Sequence, residues 1–207
     1  MSNPPLPTLG IDGHILEGIV TTENLDGTLN IAPMGPLVGQ SLETLVLRPF
    51  RTSTTYGNLL RTRLGVLHIS DDVELFAQAA MGSVTPVPDT LPQEPLVLAD
   101  TCRWVKFEIV SIDDSEDRAC LVGQAVSAGN VREFLGFNRA KHAVIEAAIL
   151  ATRVHLLSSE KIQTEFAALK VLVDKTGSAA EHRAFNLLES YVSEQVASTS
   201  CCQELAT

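Results

Sequence analysis

The sequence predicts an α+β protein, because its first two thirds show the pattern of strands and its last third the pattern of helices. The clearest strand is "CRWVKFEIVSID", in which apolar Val105, Phe107 and Ile109 alternate with residues that are expected to face away from the core. From Asn138 onward the spacing of apolar residues becomes helical. Strands are therefore expected to build the larger part of the fold, with helices following them.

The strand region opens with "HILEGIVTTENLDGTLNIAPMG", which predicts a β-hairpin. Residues 15–21 are rich in strand formers, Asp26 and Gly27 form a strong turn signal, and residues 28–32 resume an extended pattern. Further strands are expected in "ETLVLRPF", "LGVLHIS" and "ACLVGQAVSAG". A short helix is expected in "DDVELFAQAAMG".

Length and charge limit the possible functions. A chain of 207 residues is long enough for one domain with an appended subdomain. Its formal net charge of -10 argues against a nucleic-acid partner, because such affinity depends on Lys and Arg that neutralise phosphates. No apolar stretch reaches the ~18 residues of a membrane span. The opening "MSNPPLPTLGIDG" lacks the pattern of an export signal, so a cytoplasmic location without a membrane partner is expected.

Cysteine and histidine show no metal-binding spacing. Cys102, Cys120, Cys201 and Cys202 include no Cys-x-x-Cys pair, so buried or idle thiols are expected, without a structural disulfide. The five histidines are scattered along the chain. His68 falls in the apolar strand "LGVLHIS", where a hydrogen-bonded core histidine is the favoured interpretation, and no residues specify the alternative of a metal site.

The helical region predicts three helices. The first, within "NRAKHAVIEAAILATRVHLL", is apolar almost all round and is expected to be buried on most sides. Arg139, His142, Glu146 and Arg153 share one stripe of it. Either Glu146 forms an ion pair with one of the two arginines, or the stripe lines a pocket or a subunit contact. Before the third helix, Ser178 and Glu181 have the spacing of a capping box.

The segment "RPFRTSTTYGNLL" carries consecutive hydroxyl side chains at a helix start, beside Arg51. Hydroxyls, free backbone N–H groups and the helix dipole together favour an anion such as a phosphate. A capped loop with solvated hydroxyls explains the same residues.

The segment "LNIAPMGPL" interrupts a strand with Pro33 and Gly35. Pro33 removes a backbone donor and Gly35 permits close approach, so this edge is suited to presenting main-chain groups to a flat ligand. A plain exit from strand to loop is the alternative.

These segments resemble a known superfamily. "LNIAPMG" resembles the Asn-x-Ala-Pro segment of the flavin reductase-like, FMN-binding split-barrel proteins, and "TSTTYGNLLRTRLGVLHIS" resembles their phosphate segment. "FNRAKHAVIEAAILATR" resembles the helix that follows the barrel in an uncharacterised archaeal and bacterial branch. The barrel resemblance covers residues 14–136, and the helical resemblance extends it to about residue 196.

The resemblance implies a six-stranded antiparallel split β-barrel (14–136), a C-terminal helical subdomain (137–197) and flexible tails (1–13 and 198–207). It also implies a homodimer with FMN in the groove between subunits. Relatives often carry a basic residue within the hydroxyl cluster, and here Arg51 is added to the implied set on its charge. The FMN-binding residues expected are Asn30, Ala32, Pro33, Arg51, Thr52, Ser53, Thr54, Thr55 and Asn58.

Three functions remain open. The first is an FMN-dependent oxidoreductase of unknown substrate and electron donor, in which the cofactor carries the redox chemistry. The second is a non-catalytic protein that binds FMN or another phosphate ligand. The third is a dimerisation module without a cofactor. No side chain stands out as a catalytic acid or base, and His142 and Glu146 qualify only if their helix faces the flavin.

Overall fold

The structure is a computed structural model that describes the backbone of residues 6–204 and the side chains of residues 6–196. The chain forms two compact units. The first unit comprises Met1–Ser70 and Val87–Phe134, and the second comprises Asp71–Pro86 and Leu135–Thr207. The sequence placed the whole of residues 14–136 in one domain, whereas Asp71–Pro86 is grouped here with the C-terminal helices.

The first unit is built from strands and one helix. The described strands are β1 (Gly13–Ile15), β2 (Gly18–Glu23), β3 (Leu29–Met34), β4 (Leu37–Gly39), β5 (Thr44–Leu47), β6 (Leu64–Ile69), β7 (Thr90–Leu91), β8 (Glu94–Leu98), β9 (Arg103–Asp113) and β10 (Cys120–Asn130). Helix α1 (Thr54–Thr62) connects β5 to β6. Strands β7 and β8 form a separate two-stranded sheet.

The main sheet contains eight antiparallel strands in the order β1-β4-β5-β10-β9-β6-β2-β3. The α+β class is confirmed, but the expected count of six strands is wrong for this sheet. Strands β1 and β4 pair with each other and have three residues each, which is too short for alternation to reveal them in the sequence. Strand β3 lies at one end of the sheet and is an edge strand.

Phe107 occupies the centre of the core of this unit and is fully buried. Its ring lies against Gly65 on β6 and Gly123 on β10, the two strands that flank β9. A Cβ atom at Gly65 would come within 2.6 Å of the Phe107 ring, and one at Gly123 within 2.9 Å. The two glycines are therefore needed to accommodate the aromatic ring between strands.

The second unit is helical. It contains α2 (Val73–Ala80), α3 (Arg139–Ala151), a 3₁₀ turn (Val154–Leu156), α4 (Ser159–Thr176) and α5 (Ala179–Glu204). Helix α5 extends beyond residue 197, where the sequence placed the end of the helical subdomain. None of the helices in residues 6–204 is long and apolar enough to cross a membrane.

Helix α3 buries only one face, although its composition predicted burial on most sides. The buried residues are Ala140, Ala143, Val144, Ala147, Ala148 and Ala151. Arg139, His142 and Glu146 lie on the exposed side. Five of these six residues are alanines, and their small side chains allow α3 to pack closely against α4 and α5.

An ion pair between the half-buried Lys141 and the buried Glu181 joins α3 to α5. Lys141 Nζ lies 2.8 Å from Glu181 Oε1 and donates to the carbonyl oxygen of Asp71 at 2.6 Å. The other carboxylate oxygen of Glu181 accepts from the backbone N–H and the hydroxyl of Ser178, as the capping-box spacing predicted. Burial opposes ionisation of Glu181, but the bonds from Lys141 and Ser178 outweigh it and lower the pKa to about 2.

Candidate functional site

Helix α1 begins at the hydroxyl-rich segment. Ser53 is its N-cap: the hydroxyl accepts from the backbone N–H of Tyr56 at 3.2 Å and donates to the Phe50 carbonyl at 2.7 Å. The first turn carries no acidic side chain. Within the described chain, the backbone N–H groups of Thr54 and Thr55 have no acceptor, as expected at a helix start. The start of α1 thus combines donors with the positive end of a helix dipole.

Two of the predicted phosphate residues face inward. Thr55 and Asn58 are buried, at 3% and 7% exposure. The side-chain amide of Asn30 donates to the hydroxyls of Thr22 and Thr55, each at 3.1 Å. The amide of Asn58 donates to the Thr22 hydroxyl at 3.1 Å and to the Asn24 side-chain oxygen at 2.9 Å. This network fastens α1 to the β2–β3 hairpin, so these groups hold the segment in place.

The outward side of the same segment is open. Arg51, Thr52 and Thr54 are exposed, whereas Ser53 is engaged as the cap. One open pocket of about 610 Å³ is lined by Asn24, Leu25, Asp26 and Thr54. A second, of about 620 Å³, is lined by Phe50, Arg51, Thr52, Tyr56 and Asp117. Both are open hollows on the surface and not enclosed cavities.

Strand β3 presents main-chain groups at the edge of the sheet. The Asn24 N–H bonds to the Thr28 carbonyl at 2.8 Å, and the register continues through the pair Thr22 and Asn30. Because hydrogen-bonded pairs alternate along an antiparallel ladder, Ile31 and Pro33 belong to the non-bonded pairs. The N–H of Ile31 and the carbonyls of both residues therefore point away from β2.

This register changes which residues of β3 are expected to present main-chain groups at the edge of the sheet. Pro33 is placed with its main chain outward, as expected of a proline on an edge strand. Ala32 directs its main chain toward β2. Ile31, which was not among the expected residues, has the same outward orientation as Pro33, because the two are two positions apart on one strand. Gly35 does not face an open site: a Cβ there would meet the Ile15 side chain at 2.7 Å. Packing within the sheet thus explains this glycine.

The turn between β9 and β10 supports the hydroxyl segment from the other side. We call residues 114–118 the acidic turn. Its Asp114 accepts from the Tyr56 hydroxyl at 2.8 Å, and its Asp117 carbonyl accepts from the Arg51 N–H at 3.0 Å. The hydrogen bond to Asp114 raises the pKa of Tyr56, with burial adding to it and the Arg51 charge opposing it.

His68 lies fully buried in β6 and is hydrogen-bonded at both ring nitrogens. Its Nδ1 donates to the Ile19 carbonyl at 3.2 Å, and its Nε2 accepts from the Leu98 N–H at 3.0 Å. This arrangement defines the neutral ring, and burial lowers the pKa to about 4. The prediction of a core histidine is confirmed. Among the described residues no cluster suited to a metal ion exists.

The other residues singled out in the sequence are the cysteines and the polar stripe of α3. Cys102 is buried and Cys120 half-buried, and neither forms a disulfide with a described residue, whereas the side chains of Cys201 and Cys202 lie outside the described residues. On α3, no described ion pair joins Glu146 to Arg139 or Arg153, and Arg153 lies beyond the end of the helix. The imidazole of His142 stacks on Phe137, with ring centroids 5.9 Å apart.

The fold and this geometry define an α+β protein in which a helix start with free backbone N–H groups and exposed hydroxyls lies beside an edge strand. The chain belongs to the DUF447 family of proteins of unknown function: its N-terminal domain matches residues 16–130 and its C-terminal part matches residues 138–190. The family resemblance predicted from the sequence is confirmed. No curated protein matches the chain.

The similar solved structures include one of a protein from the same family. The FMN-bound DUF447-family protein from Methanosarcina mazei is 26% identical, with a TM-score of 0.74 over 88% of this chain and 97% of that one. The styrene monooxygenase flavin reductase of Pseudomonas putida S12 is less similar: it is 15% identical, with a TM-score of 0.47 over 56% of this chain and 79% of that one. A flavin reductase domain protein from Arthrobacter sp. FB24 is 18% identical, with a TM-score of 0.47 and 58% and 80% coverage.

Proposed function

We propose that the chain is an FMN-binding flavoprotein and acts as an oxidoreductase of the flavin reductase-like type, with FMN at a homodimer interface. The main support is the similarity to the FMN-bound Methanosarcina mazei protein, which extends over 88% of this chain. The observation in this structure that carries the proposal is the start of α1, where free N–H groups and exposed hydroxyls meet without an acidic side chain in the first turn.

The residues at this helix start fit the phosphate of FMN. The N–H groups of Thr54 and Thr55, the hydroxyls of Thr52 and Thr54, and the Arg51 guanidinium are donors that a dianion requires. Asp26, which lines the neighbouring pocket, bonds to Thr28, and this contact lowers its pKa. Its negative charge disfavours an anion deep in that pocket, so we place the phosphate at the helix start, between the Thr52 and Thr54 hydroxyls.

The isoalloxazine ring would lie along the edge of β3. The outward main-chain groups of Ile31 and Pro33 offer one donor and two acceptors to the polar rim of a flavin. Asn30 contributes by holding β3 against Thr55, at 3.1 Å. When bound, FMN supplies the electron-transfer chemistry, and the protein supplies the orientation and the hydrogen bonds at the ring edge.

A second copy of the chain would cover the exposed end of β10. Strand β5 pairs with β10 as far as Gln124, and the Ala125 N–H donates to the Glu43 carbonyl at 2.9 Å, so β10 has an unpaired side among the described strands from Val126 onward. Val126 lies at a register shift there and is 54% exposed. Residues 126–130 carry no charge, and an uncharged open strand edge favours pairing with another strand.

Light scattering tests this assembly. We expect a dimer for the native protein and a monomer with weaker FMN binding for Val126→Glu, because a buried unpaired carboxylate opposes association. A native protein that is monomeric at micromolar concentration, with FMN bound, would contradict the interfacial site.

An absorption spectrum of the purified protein is the direct test of the cofactor. We expect a flavin spectrum, and mass analysis of the heat-released ligand is expected to identify FMN. A colourless protein that also fails to take up added FMN would refute the proposal. The start of α1 would then be a site for another anion or an ordinary capped loop.

Non-catalytic FMN binding is the second candidate function. Its support is that β3, "LNIAPM", carries no titratable side chain that would deliver or remove a proton at the ring edge. Oxidation of NADH or NADPH by the FMN-loaded protein distinguishes the two. Turnover supports the oxidoreductase, whereas failure with these donors and with a deazaflavin or a reduced pterin favours the binding protein.

A further inference from the structure

An open hollow of about 460 Å³ lies beside the paired strands β1 and β4. We call it the Thr44 hollow. The β1–β4 pair continues the β2–β3 hairpin away from its turn, whereas the phosphate site proposed above lies near that turn. The hollow is therefore separated from the phosphate site by the length of the hairpin. Its polar lining residues are Asp12, Gln40, Ser41, Glu43 and Thr44.

Thr44 forms the floor of the hollow. It is 6% exposed, and it is the one buried residue in the lining. Its Oγ1 has no hydrogen-bond partner, and no other buried side-chain oxygen or nitrogen in the described part of the chain lacks one. A buried hydroxyl without a bond is unfavourable, because it has lost its contact with water and gained nothing in return. A ligand that bonds to Oγ1 would remove this penalty.

The rim of the hollow carries two carboxylates and no basic side chain. Asp12 accepts from the Thr8 N–H at 2.7 Å, and no described ion pair involves Asp12 or Glu43. Two negative charges without a described counter-charge favour a cation. Pro7 and the highly exposed Ile11 add apolar surface to the same hollow. The lining therefore suits a ligand with a cationic head and an apolar body.

Backbone contacts fix the two segments that carry the carboxylates. The Thr8 carbonyl accepts from the Asp12 N–H at 3.2 Å. The Glu43 carbonyl accepts from the Ala125 N–H at 2.9 Å. Between the two segments' lining residues, Leu42 is buried in the core with a φ of 57°, a left-handed conformation that its packing must maintain. The backbone positions of both acidic residues are thus set before a ligand binds.

We propose that the Thr44 hollow binds an aliphatic amine. The ammonium group would pair with the carboxylates of Asp12 and Glu43 and donate to Thr44 Oγ1, and the hydrocarbon chain would lie against Ile11. Oγ1 is covered, but exposed side chains such as Ile11 and Gln40 border the hollow, and exposed side chains change rotamer within nanoseconds. A metal ion fits less well, because it makes no use of the apolar surface and the described residues form no metal-type cluster.

Ligand-detected NMR titration of the full-length protein with pentylamine tests the site. Two comparison ligands separate its parts: 1-pentanol lacks the charge, and pentyltrimethylammonium keeps the charge but has no N–H to donate. The variants are Glu43→Gln and Thr44→Val, of which the second replaces the hydroxyl by a methyl group. Glu165→Gln is the control, because Glu165 is exposed on α4 and its replacement changes the net charge equally.

We expect pentylamine to bind and 1-pentanol not to bind. Thr44→Val should weaken pentylamine binding by about 10- to 100-fold, since a hydrogen bond from a charged group is lost. Pentyltrimethylammonium should bind more weakly than pentylamine for the same reason. Glu43→Gln should weaken binding by about 2- to 5-fold, because an exposed ion pair is screened. Thermal melting of Thr44→Val should not fall, because the hydroxyl makes no bond within the protein.

The proposal is overturned if pentylamine does not bind, or if it binds no better than pentyltrimethylammonium. It is also overturned if Thr44→Val leaves binding unchanged, or if Glu165→Gln weakens binding as much as Glu43→Gln does, since net charge alone would then attract the amine. Binding of calcium chloride, titrated alone, without binding of pentylamine would assign the oxygens to a metal ion instead. These outcomes do not depend on a flavin, so they leave the proposed function untouched.

Discussion

The inward and outward sides of the α1 segment use the same residue types for different purposes. Thr55 and Asn58 face inward and are hydrogen-bonded to Asn30, Thr22 and Asn24. Thr52 and Thr54 face outward and line pockets. The inner groups fix the position of the helix start, and only the outer groups are available to a ligand. A count of hydroxyls in the sequence therefore overstates the number of ligand contacts.

The helical unit offers a reference for polar groups that act through structure alone. Glu181 is buried like Asn58, but its partners Lys141 and Ser178 belong to the helix packing and not to a pocket. Changes at inward groups should therefore lower stability first, whereas changes at outward groups should lower binding first.

The largest effect is expected at Glu181, whose pKa is lowered from 4.5 to about 2. A carboxyl with a lowered folded pKa stabilises the protein above its unfolded pKa, and this stabilisation is lost as the pH falls from about 4.5 to about 2. Glu181→Gln should cost up to about 3 kcal/mol of unfolding free energy at pH 7. The difference from the native protein should vanish near the lower pH.

Denaturant unfolding at several pH values measures this difference. Glu189→Gln is the matched control, because Glu189 is exposed on the same helix and its replacement should leave stability nearly unchanged. A Glu181→Gln deficit that persists unchanged down to pH 2 would show that the lost packing, and not the charge, is responsible.

Asn58→Ala should have the next largest effect. The change removes two hydrogen bonds and leaves the Asn24 oxygen without this donor, so a loss of about 2 kcal/mol in unfolding free energy is expected. Flavin binding should weaken as well, because the helix start loses its attachment to the hairpin. A variant with native stability but no FMN binding would assign Asn58 to the ligand, contrary to its inward position.

Thr54→Ala tests the outward side. Stability should change by less than about 0.5 kcal/mol, because the hydroxyl is exposed. FMN binding should weaken by about 10- to 100-fold, since a hydrogen bond to a charged group is worth about 1.5–3 kcal/mol. Riboflavin, which has no phosphate, should bind both proteins equally. Thr164→Ala on α4 is the control, and an equal loss for FMN and riboflavin would place Thr54 at the ring instead of the phosphate.

The sequence predicted the parts of this molecule that local patterns determine. The alternation in β9, the buried His68 and the capping box at Ser178 are local signals, and all three are present. The resemblance added the family, which no local signal contains. The short strands β1 and β4 were missed, because their pairing depends on partners distant in the chain.

The sequence also could not predict which side chains of the site face inward and which face outward. Consecutive threonines give no sign of which hydroxyl turns inward, since that depends on the position of Asn30 and Thr22 after the hairpin packs against α1. The contribution of Asp114 was hidden for the same reason, because it reaches Tyr56 across 58 positions of the chain. Tertiary contacts, and not composition, thus divide the segment into its two sides.

The smallest expected effect is at the boundary between those sides, where Tyr56 bonds to Asp114. The bond raises the pKa of Tyr56, so the folded protein retains the phenolic proton at a pH where the unfolded chain has lost it. A raised folded pKa gives stabilisation that is complete below the unfolded value of about 10 and is lost as the pH rises above it. The native protein should therefore exceed Tyr56→Phe in stability at pH 8, and the difference should narrow toward pH 11. Unfolding of both proteins at the two pH values measures this, with Tyr191 common to both. A difference that stays constant would show that the contact with Asp114 does not depend on the phenolic proton.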